Sequence, residues 1–168
     1  MTSQNILAIS GSLKANSANK KILQFIATQL LPTANYTLYE DLATLPLFNP
    51  DVDIPNTINQ VEALRQQIRA ADVVIICTPE YAFGVPGALK NALDWLVSSG
   101  EMNEKQVIAI AASLAGDKAL ASLLLTLEAL GTQLSASLNI PFINSKIFKD
   151  GVIDKATQQV IKEAIKNI

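Results

Sequence analysis

Hydrophobic and polar positions along the chain follow two patterns, one typical of buried strands and one typical of helices. Short, almost entirely apolar runs are typical of buried strands in a parallel sheet. Three such runs are present: Asn5 to Ser10, Asp72 to Cys77 and Gln106 to Ala112. The segment from Tyr36 to Glu40 alternates like an edge strand, and a further short strand region follows Gly131. The pattern therefore predicts five strands.

The segments between these strands carry apolar residues at the three- and four-residue spacing of one helical face. The predicted helices are Ala18 to Leu31, Ile58 to Ala70, Pro86 to Ser98, Asp117 to Leu130 and Asp154 to Asn167. A regular alternation of strand and helix predicts a parallel α/β sheet with right-handed crossovers and helices on both faces. Such sheets bind ligands at the carboxyl ends of their strands. The first candidates for a ligand-binding site are therefore the loops after Ser10, Cys77 and Ala112.

Composition narrows the class of protein. The chain has 168 residues, 49% of them hydrophobic and 17% charged, which predicts one globular domain over residues 1–168. The net charge of −2, with scattered basic residues, disfavours a nucleic-acid partner. One cysteine, Cys77, excludes an internal disulfide, and with neither a leader nor a membrane-spanning run we expect a soluble cytoplasmic protein. The absence of histidine excludes a Ser-His-Asp triad and most zinc sites.

The first of the three loops, Gly11 to Asn19, reads GSLKANSAN and is rich in groups that bind anions. A helix that starts near Ser17 presents free N–H groups and the positive end of its dipole. Ser12, Asn19 and Lys14 add hydrogen-bond donors and a charge, and Gly11 permits a tight turn. The loop therefore predicts a site for a phosphomonoester. In the alternative interpretation, Ser17 is an ordinary N-cap and Ser12 an ordinary turn residue.

The first loop lacks the two common phosphate-binding motifs. Neither GxxxxGK[ST] nor GxGxxG occurs in it, which disfavours a P-loop nucleoside triphosphatase and a Rossmann dinucleotide site. A single terminal phosphate fits this loop better than a triphosphate or a pyrophosphate.

The second loop begins TPEYAFGVPG at Thr78. Pro79 and Pro86 stiffen it, and Gly84 lets its backbone approach a flat ligand closely. Its backbone groups can bond to the edge of a heteroaromatic ring while Tyr81 and Phe83 cover part of the ring's face. The alternative for both aromatic residues is simple packing within the loop.

These two loops resemble those of the NADPH-dependent FMN reductase family, flavodoxin-like enzymes that include quinone, azo-dye and chromate reductases. The segment DLATLPLFNPD after the second strand is similar to the acidic-proline loop of that family. The resemblance extends over nearly the whole chain and implies a flavodoxin-like doubly wound sheet with strand order 2-1-3-4-5. It implies an enzyme that takes a hydride from NADPH or NADH onto FMN. The acceptor of the electrons would be a flavin, a quinone, an azo compound or a metal oxyanion.

The resemblance also implies which residues hold FMN. The phosphate would be bound by Ser12, Lys14, Ser17, the backbone of Ala18, and Asn19. The isoalloxazine ring would be bound by Pro79, Glu80, Tyr81, Ala82, Phe83 and Gly84. The third loop would approach the pyrimidine side of the ring through Ser113 and Gly116. No metal is implied, and no side chain is assigned as catalytic; Glu80 is the nearest candidate acid or base, but a structural hydrogen bond is favoured for it.

The chain departs from the family pattern at three places. Lys14 stands where the family has Arg, Ala82 stands where it has Asn, and the third loop, ASLAGD, contains fewer glycines. Arginine can clamp a phosphate with two hydrogen bonds, whereas lysine provides a point charge. We therefore expect FMN binding to be retained but weakened at the phosphate.

Two other functions share the expected fold. A flavodoxin-type electron carrier would bind FMN without reacting with NAD(P)H. A cofactor-free signalling domain of the receiver type needs acidic Mg²⁺ ligands after the first strand, and residues 11–14 provide none.

The predicted helices 86–98 and 117–130 have more apolar surface than one sheet face can cover. This surplus predicts a homodimer or homotetramer.

Overall fold

A five-stranded parallel sheet forms the centre of the fold. The computed structural model describes residues 4–166 and 168. Its strands are Asn5–Ser10 (β1), Asn35–Tyr39 (β2), Val73–Thr78 (β3), Gln106–Ala112 (β4) and Gln133–Ile140 (β5). Their spatial order is β2-β1-β3-β4-β5, and every neighbouring pair is parallel. The sheet type and the strand order implied by the family resemblance are confirmed.

The predicted helices are all present, although most are shorter than expected. They are Ala18–Gln29 (α1), Asn59–Ala70 (α2), Gly87–Asp94 (α3), Asp117–Ala129 (α4) and Lys155–Ala164 (α5). The expected end of α5 at Asn167 lies outside the described residues. Three short 3₁₀ turns, Asp41–Thr44, Pro50–Val52 and Ile143–Ser145, were not predicted.

Helix α3 differs most from its prediction, because it ends four residues before Ser98. After Asp94 the N–H groups of Leu96 and Val97 bond to the carbonyls three residues back, at 3.1 and 3.2 Å. This spacing is that of tight turns rather than of an α-helix. The chain therefore leaves the helix axis soon after Trp95.

The hydrophobic pattern explains where each strand lies. All six residues of β3 are buried, as expected for a central strand with helices on both faces. The edge strands β2 and β5 consist of exposed and partly buried positions, with one buried residue at the end of each. Helices α1 and α5 pack on one face through residues such as Ile22, Ile26 and Ile161, and the other three helices cover the opposite face. Side chains of both layers therefore bury the central strands.

The end of α3 packs against the segment that follows β2. Ala92 and Trp95 are both buried within the chain. The Trp95 ring meets Phe48 edge-on with centroids 5.0 Å apart, and its Nε1 donates to the carbonyl oxygen of Pro46 at 2.9 Å. The segment after β2 therefore covers Trp95, and the association through helices 86–98 and 117–130 stays a prediction.

Helix length also bears on membrane insertion. The longest helix in residues 4–166 is α4, with 13 residues, and no helix of that part combines the length and hydropathy needed to cross a bilayer.

Candidate active site

Three loops meet at the carboxyl edge of the sheet, where the sequence places its candidate residues. Strands β1, β3 and β4 are direct neighbours, with Ser10 opposite Cys77 and Cys77 opposite Ile110. Because the strands are parallel, the loops that follow them emerge side by side. The Gly11 N–H bonds to the Cys77 carbonyl at 2.8 Å, which extends the pairing of β1 and β3 to the start of the first loop.

The first loop leads directly into the N-terminus of α1. Ser17 caps this helix, because its Oγ accepts a hydrogen bond from the Lys20 N–H at 3.1 Å. The Ser12 Oγ accepts from the Lys14 N–H at 3.3 Å and keeps its own proton for donation. The next two N–H groups of the helix, on Ala18 and Asn19, have no hydrogen-bond partner among the described residues. Unpaired N–H groups at a helix start favour an anion.

Gly11 is required for a different reason from the one expected. It does not have a positive φ. A Cβ at this position would instead lie 2.7 Å from the Thr78 Oγ1 and 2.9 Å from the Leu89 Cδ2. Only glycine therefore lets the first loop pack closely against the end of β3.

Asn19 lies in the first turn of α1, and its side chain contacts the sheet rather than the loop. Its side chain is 2% exposed. Its Nδ2 donates to the Ala112 carbonyl at 3.2 Å and contacts the Cys77 Sγ at 3.4 Å. These contacts use the amide N–H groups that the sequence assigned to an anion, which leaves the backbone N–H of Asn19 as its donor to the site. The side chain fixes α1 to the ends of β3 and β4.

The second loop contains a tight hairpin, Tyr81 to Gly84. The N–H of each end residue bonds to the carbonyl of the other at 3.0 Å. The two central residues, Ala82 and Phe83, have φ values of 49° and 61°. Positive φ at both central positions is typical of a type I′ turn, which favours Asn and Gly. The buried residues Pro79 and Pro86 bracket this hairpin.

Glu80 connects the second loop to helix α4. Its Oε2 accepts a hydrogen bond of 3.0 Å from the backbone N–H of Ala119, in the first turn of that helix. A carboxylate at this position also interacts favourably with the helix dipole. The structural role favoured from the sequence is therefore observed.

The third loop, residues 113–116, contains a buried polar group without a partner. The Ser113 Oγ is buried and has no hydrogen-bond partner among the described residues. The segment after β5 holds the loop, because the Ile143 N–H bonds to the Ser113 carbonyl at 3.1 Å. Gly116 has a φ of 91° and lies against Asn139, so a side chain at this position would collide with the Asn139 Oδ1.

Cys77 is a core residue, as predicted. It is fully buried, and burial raises the pKa of its thiol to about 12. The thiol therefore stays protonated at neutral pH and does not act as a nucleophile.

A cleft of about 140 Å³ opens beside the first loop, between it and the segment that follows β2. Lys14 and Lys20 line one side, and Tyr39 and Glu40 line the other. Lys20 pairs with Glu40 at 2.6 Å, whereas Lys14 has no ion pair among residues 4–166 and 168. The positive charge of Lys14 is thus not neutralised by a carboxylate of the described residues.

The residues at this edge fit the FMN that the resemblance implies. The start of α1, the hydroxyls of Ser12 and Ser17 and the free charge of Lys14 suit a phosphomonoester. The buried Ser113 Oγ needs a hydrogen-bond partner, and a flavin pyrimidine ring offers both donors and acceptors. The backbone of the second loop lies beside these groups at the end of β3.

Asn139 is the site residue that the sequence analysis missed. Its Oδ1 is buried without a hydrogen-bond partner among the residues described, next to Gly116. Asn139 is the penultimate residue of β5, at the same edge of the sheet. A firm prediction of β5 would have placed Asn139 there, but only a short strand region was expected.

Comparison with known proteins identifies the family. The family model for NADPH-dependent FMN reductase matches residues 4–145. An NAD(P)H-dependent FMN reductase of Pseudomonas aeruginosa is 43% identical over 90 residues, 54% of this chain and 48% of that protein. A quinone reductase of Escherichia coli is 39% identical over 95 residues, 54% of this chain and 49% of that protein. The matched region thus spans about half the length of these relatives.

A solved structure agrees with this result. The flavoenzyme NAD(P)H:(acceptor) oxidoreductase FerB of Paracoccus denitrificans has a TM-score of 0.82 to this chain, with coverage of 97% and 96% of the two chains. Its sequence identity of 24% makes it evidence for the fold alone. A family match over most of the chain, on a fold with the expected strand order, makes this protein a member of the NADPH-dependent FMN reductase family.

Proposed function

We propose that this protein is an FMN-dependent oxidoreductase that uses NADPH or NADH to reduce a small-molecule acceptor. The observation that carries the proposal is the meeting of the three loops at the edge of β1, β3 and β4 in a chain of this family. Bound FMN would supply the two-electron hydride chemistry, which no side chain of the chain can provide. The balance is NAD(P)H plus a proton plus the acceptor, giving NAD(P)⁺ and the acceptor reduced by two electrons.

The first loop would hold the phosphate. The donors are the hydroxyls of Ser12 and Ser17, the charge of Lys14 and the backbone N–H groups of Ala18 and Asn19. The contacts of Asn19 with Cys77 and Ala112 hold the start of α1 in place. Because the charge of a phosphate is concentrated in one group, these donors would set most of the affinity.

The other two loops would orient the isoalloxazine ring. The backbone of residues 79–84 would bond to its edge, with Gly84 allowing close approach. Ser113 Oγ would gain the partner that it lacks, and Gly116 would leave room beside it. Polar N–H groups aimed at the pyrimidine side stabilise the negative charge of a reduced ring.

No side chain is proposed as a general acid or base. Glu80, the nearest candidate, already accepts the Ala119 N–H, and histidine is absent from the chain. The proton taken up by the acceptor would therefore come from water. Positioning of two flat molecules against each other is the main contribution expected from the protein.

The absorbance spectrum of the purified protein, followed by anaerobic titration with NADPH and with NADH, tests this function. We expect a flavin band at about 450 nm that bleaches on mixing with a nicotinamide, because hydride transfer removes the oxidised flavin. Recovery of the band on adding an acceptor completes the cycle. A flavin that stays oxidised would favour an electron carrier, and failure of the protein to bind FMN would reject both functions.

We also propose that the protein is a homo-oligomer that associates through α4. Leu125 of this helix is 68% exposed, and Leu134 of β5 is exposed beside it. They border an apolar groove of about 550 Å³ that also includes Leu124. Contiguous exposed apolar surface of this kind favours association. The choice between dimer and tetramer, the single-domain organisation of residues 1–168 and the cytoplasmic location stay predictions.

A further inference from the structure

A short hairpin after β5, residues 147–153, turns apolar side chains toward solvent. Ile147 is bridged to Ile153, and both pack on the core that α1 and α5 cover. Their neighbours Phe148 and Val152 are 56% and 49% exposed. A hairpin with one face on the core is normally polar on its other face. The two exposed apolar side chains of the 147–153 hairpin therefore call for a partner.

Hydrogen bonds define the turn of this hairpin. The Phe148 N–H bonds to the Val152 carbonyl at 2.8 Å, and the Gly151 N–H bonds to the Phe148 carbonyl at 2.9 Å. Gly151 has a φ of 88°, and the Asp150 Oδ1 accepts from the Val152 N–H at 3.0 Å. Residues opposite each other in an antiparallel pair lie on the same face. Phe148 and Val152 therefore form one small apolar patch.

Lysines lie around this patch. Lys149 is exposed in the turn itself, and Lys155 is exposed at the start of α5, directly after the hairpin. Lys21, in the first turn of α1, places its Nζ 3.9 Å from the position that a Cβ on Gly151 would take. None of these three lysines has an ion pair among residues 4–166 and 168. Because the whole chain has a net charge of −2, this positive charge is a local feature.

The acidic residues of the segment are bonded to backbone groups. Asp150 accepts the Val152 N–H, and Asp154 caps α5 by accepting the Thr157 N–H at 3.0 Å. The charge of Lys146 also helps to keep the pKa of Asp154 low. The carboxylates near the hairpin thus leave the three unpaired lysines available to an anionic partner.

We propose that the 147–153 hairpin is a reversible docking site for a bilayer that contains anionic lipids. The apolar patch would enter the headgroup region while the lysines contact the negative charges of the lipids. Docking of this kind is peripheral and needs no helix that crosses the membrane. The inference goes beyond the proposed function and does not depend on it.

Size and charge favour a bilayer over a protein partner. A two-fold contact between two copies would bring the same lysines face to face, and like charges oppose such a contact. A stable protein interface buries about 800 Å² on each side, far more than two apolar side chains provide. A bilayer binds a small surface of this kind, because the attraction of anionic lipids adds to the insertion of each apolar side chain.

The hairpin lies at the same edge of the sheet as the candidate site. It follows the segment whose Ile143 N–H bonds to the Ser113 carbonyl of the third loop, and Gly151 lies beside the first turn of α1. Docking would therefore bring that edge close to the membrane surface.

Vesicle sedimentation with the full chain tests the docking. The partition coefficient onto phosphatidylcholine vesicles with about one third phosphatidylserine should be at least about tenfold higher than onto phosphatidylcholine alone, because each unpaired lysine gains from the negative surface potential. The gain should disappear at about 1 M salt, where the Debye length is about 3 Å. Equal binding to both kinds of vesicle, or binding to neither, would overturn the proposal.

Variants of the hairpin locate the contact. Phe148→Ser should lower the partition coefficient onto anionic vesicles about tenfold, because insertion of the ring is lost. Lys149→Gln should lower it about fivefold. Leu31→Ser and Lys162→Gln are the matched controls, since both residues border a groove at the far ends of α1 and α5. The controls should change the coefficient by less than about twofold. Equal effects of hairpin variants and controls would overturn the assignment to the hairpin.

Fluorescence of Phe148→Trp shows whether the hairpin itself meets the lipid. The chain has one natural tryptophan, Trp95, and it is buried, so the difference from the wild-type spectrum reports on position 148. The added emission should move to shorter wavelength on anionic vesicles, and lipids with brominated acyl chains should quench it. Emission that stays unchanged when the protein binds vesicles would overturn the proposal.

Two further measurements separate the lipid from other occupants of the hairpin. The mass of Phe148→Ser in size-exclusion chromatography with light scattering should equal that of the wild type. A smaller mass would assign the apolar patch to a contact between copies and overturn the proposal. Soluble polyglutamate should displace the protein from vesicles only weakly, because it offers no apolar phase to the ring. Full displacement at equal charge would assign the hairpin to an acidic protein instead.

Discussion

The Glu80 carboxylate accepts a hydrogen bond of 3.0 Å from the backbone N–H of Ala119. This single contact joins the second loop of the site to the first turn of α4, which follows the third loop. Two of the loops proposed to hold the flavin ring are thereby connected within the protein itself. Glu80 is thus expected to act on FMN binding through the position of its neighbours.

The role of Glu80 can be tested by removing the carboxylate in two steps. Glu80→Ala should lower the free energy of unfolding by about 1–2 kcal/mol, because the first turn of α4 loses its acceptor. Glu80→Gln keeps an acceptor oxygen and should lose less than half of that amount. Urea unfolding of the FMN-free protein measures both variants. Equal losses in the two variants would show that charge, rather than the hydrogen bond, is responsible.

Asn19 provides a second test of how the site is held in place. Asn19→Ala should destabilise the FMN-free protein by about 1–3 kcal/mol, because a buried donor to the Ala112 carbonyl is lost. Gln24→Ala is the matched control, since Gln24 is exposed on the same helix and alanine favours helices. If the two variants have the same stability, the contacts of Asn19 with β3 and β4 contribute nothing.

The fold was predictable wherever burial imposes a strong pattern. The apolar run of β3 is buried on both faces, and its position was predicted to within one residue. Strand β5 was predicted only as a region, because QLSASLNI mixes polar and apolar residues at an exposed edge. At the early end of α3, Trp95 packs against Phe48 from a distant segment, a contact that local sequence could not reveal.

The sequence predicts a chemistry for the candidate site but does not reveal its geometry. The residues of the first loop indicate an anion from composition and position alone. The positive φ values of Ala82 and Phe83 carry no signal in the sequence, because neither residue is typical of such a turn. Asn19 contacts strands far away in the chain, and Asn139 lies against Gly116 of the third loop; no spacing rule describes either arrangement.

Acid should destabilise the protein through a buried ion pair outside the site. Arg65, 4% exposed, bonds to Asp53 at 2.7 Å, and Ser98 also donates to Asp53. Burial opposes ionisation of Asp53, but the hydrogen bonds from Ser98 and Arg65 and the charge of Arg65 outweigh it, so the pKa of Asp53 is lowered. Because the pKa of Asp53 is lower in the folded state, its ionised form stabilises the fold above the unfolded pKa of about 4. This stabilisation is lost as the pH falls from that value through the lowered pKa.

The matching experiment is urea unfolding from pH 7 to pH 3. The free energy of unfolding should fall below about pH 4 in the wild type. Asp53→Asn should cost about 3 kcal/mol at pH 7, because it leaves Arg65 with one fewer buried partner. It should also make the acid slope shallower without abolishing it, since the pKa values of Glu101 and Asp154 are lowered as well. An unchanged slope would contradict the assignment of Asp53.

The proposed interface predicts a change of assembly on mutation of α4. Leu125→Glu should shift the protein to a smaller species in size-exclusion chromatography with light scattering at micromolar concentration, because it places a charge in the apolar groove. Leu31→Glu is the matched control, as Leu31 is 68% exposed after α1, on the other side of the sheet. A wild-type monomer, or an unchanged mass in Leu125→Glu, would reject association through this helix.

Lys14 is the residue whose replacement should improve the site. It stands where the family resemblance implies arginine, it is exposed, and it has no ion pair among the residues described. Lys14→Arg would allow two parallel hydrogen bonds to a phosphate. The dissociation constant of FMN should therefore fall about tenfold, which corresponds to a binding free energy more favourable by about 1.4 kcal/mol. Lys14→Ala should raise the dissociation constant of FMN by about the same factor. The difference from the wild type should shrink at high salt, because the interaction is with an exposed charge.

Fluorescence titration of the FMN-free protein measures the dissociation constant for the wild type and both Lys14 variants. Lys118→Ala is the control for loss of a positive charge away from the first loop. If Lys14→Ala binds FMN as tightly as the wild type does, the start of α1 and the serine hydroxyls hold the phosphate without help from this side chain.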